Sequence, residues 1–218
     1  MLAYKFLDTE GATVISGTTW PLPTDDGPGP WIEARAVTPC REGVHACRIG
    51  DLAYWLHDVL WEIELDGGIQ ESRHKVVARR GRLLRRLDDW SAGVSRELSA
   101  WCAWRSRDQA VAVLNDLGEA KWAERLARAE TLGDVRLLAR QALELLGDTT
   151  DAGMAVALAL DAAALAPGDH VALAPFVAAW AAAGAATRDT RHDAAFAEAF
   201  AAERQAQSDW IATRLGLT

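Results

Sequence analysis

Cys40, His45 and Cys47 lie within one short stretch of the chain, and His57 follows ten residues after Cys47. Two thiolates with one or two imidazoles could hold a zinc ion. The spacing argues against it, because structural zinc sites usually pair cysteines about two to four residues apart and then repeat the pair. Buried thiols beside a hydrogen-bonded histidine are the favoured reading. His45 is the candidate proton-transfer or hydrogen-bonding group, since imidazole titrates near neutral pH. Gly43, two residues earlier, permits an unusual backbone angle or the close approach of another group. Strand alternation places His45 and Cys47 on one face, opposite Val44. Tyr54 or His57 would then come over the same side from the following segment.

The elements that must position these groups follow from the hydrophobic periods. Residues 2–7 read as a first strand, with Tyr4 and Phe6 on one face and Lys5 on the other. Positions 13–15 suggest a second short strand, and 18–30 form a proline- and glycine-rich loop flanked by Trp20 and Trp31, the two tryptophans best placed to meet a ligand. A mixed strand pattern resumes over 31–37, a turn covers 39–43, and a short strand covers 44–47. Asp51 is placed to cap a helix over 52–60, whose apolar spacing marks a core-facing side. Trp61, Ile63 and Leu65 then alternate with Glu62 and Glu64, and Asp66, Gly67 and Gly68 turn the chain. Further strands are expected over 75–77 and 82–87, with Arg79, Arg80, Arg82, Arg85 and Arg86 concentrating positive charge that could pair with a phosphate or protect a sheet edge.

Beyond position 87 only helical signals remain. A helix is expected to start at Asp88 and Asp89, with Val94, Leu98, Trp101 and Trp104 as its buried stripe, and further helices over about 107–116, 118–129, 132–146, 150–165, 175–185 and 190–215, separated mainly by glycines; the alanine density predicts close packing. The fold class is therefore α+β: a small mixed or antiparallel β domain with one covering helix over residues 1–87, then an alanine-rich all-α bundle over 88–218.

Charge and composition narrow the function classes. Residues 1–87 carry 12 acids against 11 basic residues, and 88–218 carry 19 against 12, within a formal net charge of −8. Binding of nucleic acid through broad electrostatics is disfavoured by that balance. The apolar stretch over 152–187 is mostly alanine and is broken by Asp161, Pro167, Asp169, His170 and Pro175, so no membrane span is expected. An N-terminus without the basic start and apolar run of a signal peptide, with three cysteines and no disulfide framework, gives a cytoplasmic expectation. Cys102, between Trp101 and Trp104 on a helix, reads as a core thiol. No Walker loop, GxGxxG, GxSxG or HExxH motif is present.

The AYKFLD opening, the CREGVHAC motif with its DLAYWL continuation, the WEIELDG strand and the KVVARRGRLLRRL segment together resemble a set of uncharacterised bacterial and phage proteins with a C-x-x-G-[FIV]-H-A-C signature, over about the first 90 residues. A more distant similarity is to ADP-ribosyltransferase-like folds. That resemblance would give Tyr4 and Lys5 the role of meeting the dinucleotide, assign Gly43, His45 and Tyr54 to the second element, and make NAD the cofactor. Glu62 and Glu64 supply an acidic pair, with Glu64 as the candidate catalytic acid, although it follows the second element too closely for that family's late glutamate. The expected site is thus His45, Tyr4 and Glu64 for chemistry, and Lys5, Gly43, Tyr54, Arg79 and Arg82 for a cofactor. Two functions are expected: a binding or interaction protein, regulatory or immunity-like, that meets a protein partner or a second copy through its helical half; or an enzyme, degenerate or active, for a nucleotide-like ligand.

Overall fold

The computed structural model describes residues 1–13, 15–168, 170–187 and 193–217. Among them are strands β1 (Leu2–Leu7), β2 (Ile32–Glu33), β3 (Val44–Ala46), β4 (Val59–Asp66), β5 (Gln70–Ser72), β6 (Lys75–Ala78) and β7 (Arg80–Arg86). A 3-10 helix, Ile49–Tyr54, lies between β3 and β4. Helices α1 (Ala92–Asp116), α2 (Ala120–Ala127), α3 (Leu132–Leu146), α4 (Asp151–Leu165), α5 (Leu173–Thr187) and α6 (Asp193–Leu215) follow. The class is α+β, with antiparallel strands preceding an alanine-rich helical region. The chain divides into two compact units, Met1–Val94 with Ser208–Thr218, and Ser95–Gln207.

In the first unit, one sheet runs β1-β4-β7-β2 and the other β3-β6-β5, with every pairing antiparallel. The two sheets share a nearly continuous run, because only Arg79 separates β6 from β7. On the opposite side, Tyr4 and Cys47 exchange both main-chain hydrogen bonds, at 2.9 and 2.8 Å. A circuit therefore runs by hydrogen bonds from β1 through β4 to β7, along the chain through Arg79 into β6, and by hydrogen bonds through β3 back to β1, a small barrel closed at that point by one residue pair. Its interior holds Ala3, Leu7, Val44, Ala46, Val59, Trp61, Ile63, Leu65, Val76, Ala78 and Leu83, all buried. This is the alternation of β4 seen in the sequence, with Glu62 and Glu64 turned to the other face.

Two glycines make the closure sterically feasible. Gly81 sits just after the bend, where a Cβ would stand 2.7 Å from Val44 Cγ1. Gly43 has φ 133°, and a Cβ there would overlap Val77 Cγ1. A bulge between Glu62 and Ile63 in the β4–β7 pairing lets Leu84 bow out of register. Consequently Arg85 and Arg82 both face the acids of β4, which strict alternation would forbid. Arg85 pairs with Glu62, Arg82 with Glu64 and Arg80 with Asp66.

Several expectations are corrected. The helix over 52–60 is the shorter Ile49–Tyr54, in 3-10 form, because Val59 and Leu60 are drawn into the buried ladder of β4. Arg48, not Asp51, is at its N-cap; Asp51 lies inside the first turn, bound to Arg48 Nε at 2.6 Å. Of positions 31–37 only Ile32–Glu33 is strand, since the chain then leaves β7 after the bond from Ala34 N–H to Arg79 O. Thr13 and Ile15 belong to no strand, and Val14 lies outside the described residues. The helix expected to start at Asp88 and Asp89 begins at Ala92 and is continuous with the one expected over 107–116, as α1. The expected start of the last helix, 190–192, also lies outside the described residues.

In the second unit, α4 packs against α3 and α5 through alanine-rich faces that include Ala139, Ala142, Ala159, Ala162 and Ala178. Thr131 and Asp134 form a reciprocal capping box at α3, and Thr150 caps α4. Buried Gln207 donates to Pro175 O at 2.9 Å, so the proline that opens α5 anchors α6 instead of breaking a helix. No helix among the described residues is long and apolar enough to cross a membrane.

Gly43→Ala is expected to destabilise the protein by about 3 kcal/mol, combining left-handed backbone strain with the overlap on Val77. Urea denaturation measures it, and a loss below about 1 kcal/mol would show that the turn before β3 relaxes freely.

Candidate functional site

The barrel is closed by a single residue pair where it could have had a ladder. Beyond Tyr4 and Cys47 the strands β1 and β3 part, and a cavity of about 1020 Å³ opens along the seam. Lys5, Phe6, Trp20, Cys40, Gly43, His45, Trp55 and Lys75 are among its lining residues. Loop 12–20 contributes Trp20. The segment 35–43 contributes the rim, held by Glu42, whose carboxylate accepts from the N–H groups of Arg35 and Ala36 at 3.0 and 3.1 Å.

Lys5 is the unexpected member. It follows Ala3 and precedes Leu7 on the inward face of β1, so alternation sends a lysine where the barrel otherwise holds apolar side chains. Its ammonium donates to His45 O at 2.7 Å and lies 4.7 Å from the Trp20 ring centre. Among the described residues no carboxylate pairs with it. Part of the residue is accessible, but its charged end is deep in the cavity wall, and burial pulls its pKa down to about 8. Neighbouring Cys47 opposes that shift.

His45 is locked in one tautomer. Its Nδ1 is 2.9 Å from Gly43 O, and a carbonyl can only accept, so Nδ1 carries the proton and Nε2 the lone pair. Nε2 is buried with no hydrogen-bond partner among the described residues. Burial depresses the imidazole pKa, followed by the charge of Lys75; the bond to Gly43 opposes them, and Lys5 adds a smaller push downward. The result is a neutral ring with an unsatisfied acceptor, a state that costs roughly 1–3 kcal/mol until a donor meets it.

Two cysteines differ in accessibility. Cys47 is buried, donates through Sγ to Tyr4 O at 3.3 Å, and is pushed up to about 12 by burial, so it is a structural thiol. Cys40 is exposed, has φ 65°, and lies 3.0 Å from Lys75 Nζ on the rim. Among the described residues no three His, Cys, Asp or Glu side chains converge as metal ligands.

The structure brings Lys5, Gly43 and His45 to one cavity and places the other expected site residues elsewhere. Tyr4 borders the cavity with its main chain. Its side chain leaves β1 on the same face as its cross-strand neighbour Glu62, opposite that of Lys5. Burial, then Glu62, raises the phenol pKa. Glu64 is bound to Arg82 at 2.7 Å, outside the cavity lining. Tyr54 stacks on His74 with ring centres 3.7 Å apart. Arg79 holds the bend through its main chain, and Arg80 and Arg82 flank Trp31, each 4.7 Å from the ring centre. Arg80, Arg82 and Arg85 are thus paired with acids of β4 and Arg86 with Asp88, and the cationic groups of the cavity are instead Lys5, Lys75, Arg35 and Arg41, against Glu33 and Glu42. Trp55 and Lys75 were not singled out by spacing. The signal for Lys75 was its position directly before the apolar run Val76–Val77 that pairs with His45.

Comparison of the chain with family models, with curated proteins and with solved structures finds no match.

The pH dependence of stability follows from Lys5. Its pKa is about 8 folded against an ordinary 10.5, so between those pH values the unfolded chain binds more protons and stability rises with pH. The size is at most about 3 kcal/mol. Cys47 acts in the opposite direction above its ordinary value of 9.0, because its folded pKa is raised. The difference between wild type and Lys5→Met isolates the lysine: the variant is expected to be at least as stable at pH 7, with its advantage shrinking by pH 10. Urea titrations at both values test this, and an advantage independent of pH would refute it.

Proposed function

We propose that the first unit is a binding module for a small anionic molecule that carries a flat ring, the chemistry of a nucleotide. The observation that carries this reading is the uncompensated ammonium of Lys5, buried in the wall of a 1020 Å³ cavity beside an indole and a neutral histidine. A buried cation without a carboxylate is unfavourable in the free protein. An anionic ligand group supplies the missing charge, and Lys75, Arg35 and Arg41 add to the attraction. His45 Nε2, which solvent does not reach in the free protein, accepts from a ligand N–H or O–H, such as a sugar hydroxyl, once binding shifts the ring toward the cavity, while Trp20 and Trp55 offer apolar area to a ring. The regulatory reading follows from this: ligand occupancy relieves two defects at the seam and stabilises the closed barrel.

A second reading is turnover of such a ligand, with His45 as the base. The fixed tautomer favours it, since Nε2 is free to take a proton from a bound hydroxyl. An ADP-ribosyl transfer of this kind would need an acid other than Glu64, which Arg82 occupies.

Thermal shift with adenosine and uridine 5′-monophosphates, NAD and inorganic phosphate tests the first reading. At least one organic phosphate is expected to raise the melting temperature of wild type. Lys5→Met is expected to abolish that rise without lowering the melting temperature of the free protein. His45→Gln, which keeps a polar group of similar reach, is expected to weaken binding about tenfold through loss of the acceptor. Equal stabilisation of wild type and Lys5→Met by every ligand would overturn the assignment. Release of base or phosphate during incubation, lost in His45→Gln, would move the balance to the second reading.

A further inference from the structure

The main chain at the seam carries information beyond the side chains. Met1 and Leu65 exchange two main-chain bonds, so Met1, Ala3, Lys5 and Leu7 turn their N–H and C=O groups toward β4. Leu2, Tyr4 and Phe6 turn theirs the other way, toward β3. Tyr4 uses both groups on Cys47. The next antiparallel pair in register is Phe6 with His45, and no main-chain bond joins them. Lys5 Nζ takes His45 O. That leaves the N–H and C=O of Phe6 and the N–H of His45 without a protein partner among the described residues. The Phe6 ring does not cover them, because it is turned against Trp90, 5.4 Å away edge to face.

We infer that this open edge reads the ligand's ring: the N–H and C=O of Phe6, with the N–H of His45, hold a flat group that presents a hydrogen-bond donor beside an acceptor, as the pairing edge of a nucleobase does. The inference rests on the proposed binding of a ring-bearing anion, and it assigns the ring to the seam and the anionic group to the cationic wall. A neighbouring N–H and C=O on one residue match a donor and acceptor side by side, and a strand edge left unpaired in a largely buried place is costly until it is met. An inserted peptide strand fits poorly. The seam is shut at one end by Tyr4 and Cys47 and crossed by the Lys5 ammonium, so there is room for one residue's worth of pairing and not for a ladder.

Amide hydrogen exchange by NMR on the full chain provides the first arm. In the free protein the amides of Phe6 and His45 are expected to exchange at least tenfold faster than those of Tyr4, Lys5, Leu7 and Cys47. Protection equal to that of Tyr4 and Cys47 would overturn the inference, because the seam would then be closed. The second arm compares adenosine 5′-monophosphate with its N6,N6-dimethyl derivative, uridine 5′-monophosphate with its N3-methyl derivative, and both with ribose 5-phosphate. The nucleotide that binds is expected to slow exchange at Phe6 and His45, and methylation of its donor is expected to weaken binding about tenfold or more. Equal binding of the methylated derivative, or binding that leaves those two amides unchanged, would overturn it. Ribose 5-phosphate binding as tightly as the nucleotide, with loss in Lys5→Met, would leave the anion site standing and remove the ring-reading edge. Failure of every phosphate compound to bind wild type would remove both.

Discussion

The main-chain exchange between Tyr4 and Cys47 is the constraint on which the first unit depends. Among the described residues it is the one main-chain pair that joins β1 to the end of β3, and without it the two sheets would be linked through Arg79 on one side and stand open on the other. Because it is one pair and not a ladder, it closes the barrel while leaving the seam beside it parted. The same feature creates the cavity, frees the edge of Phe6, and leaves His45 O for Lys5. Cys47 fits this role through its size and burial. Its thiol donates back to the very carbonyl that its own N–H engages, so the residue serves the closure twice.

A compact barrel of this size has little interior, and spending one inward position on a lysine is costly. Replacing Lys5 by an apolar residue would improve packing, so its presence needs another account. A ligand that completes its charge is the simplest physical one. The neutral His45 has the same character: its ring is held by Gly43, kept from protonation first by burial and then by the Lys75 ammonium with a smaller push from Lys5, and left with an acceptor that nothing among the described residues meets. Gly43 therefore does two things. It allows the backbone geometry that brings β3 against Val77, and its carbonyl fixes which nitrogen of His45 is free.

Much of the framework is legible in the sequence. The alternation of Trp61, Ile63 and Leu65 with Glu62 and Glu64 gives β4 and its inward face, and the glycines near the ends of α3 and α6 mark where those helices stop. The site is less legible, for physical reasons. Period two shows that Lys5 opposes Tyr4 and Phe6, but both faces of β1 are largely buried, so alternation cannot say which side is the interior. The apolar spacing over 52–60 suits a helix as well as a turn running into a strand, and the pull of the β4 ladder on Val59 and Leu60 decides it. The arginines after Arg79 look like a phosphate platform until the bulge at Leu84 sets Arg82 and Arg85 opposite Glu64 and Glu62; register is a property of two strands and cannot be read from one.

The first unit is discontinuous in sequence, Met1–Val94 together with Ser208–Thr218, and this has a consequence for how it folds. Ser208 accepts from the N–H of Ala53 in the 3-10 helix, so two segments far apart in the chain fix one element. The whole of the helical unit, Ser95–Gln207, lies between them, and bringing them together closes a long loop whose entropy must be met before the contact rewards it. The helical unit, contiguous in sequence, carries no such long closure.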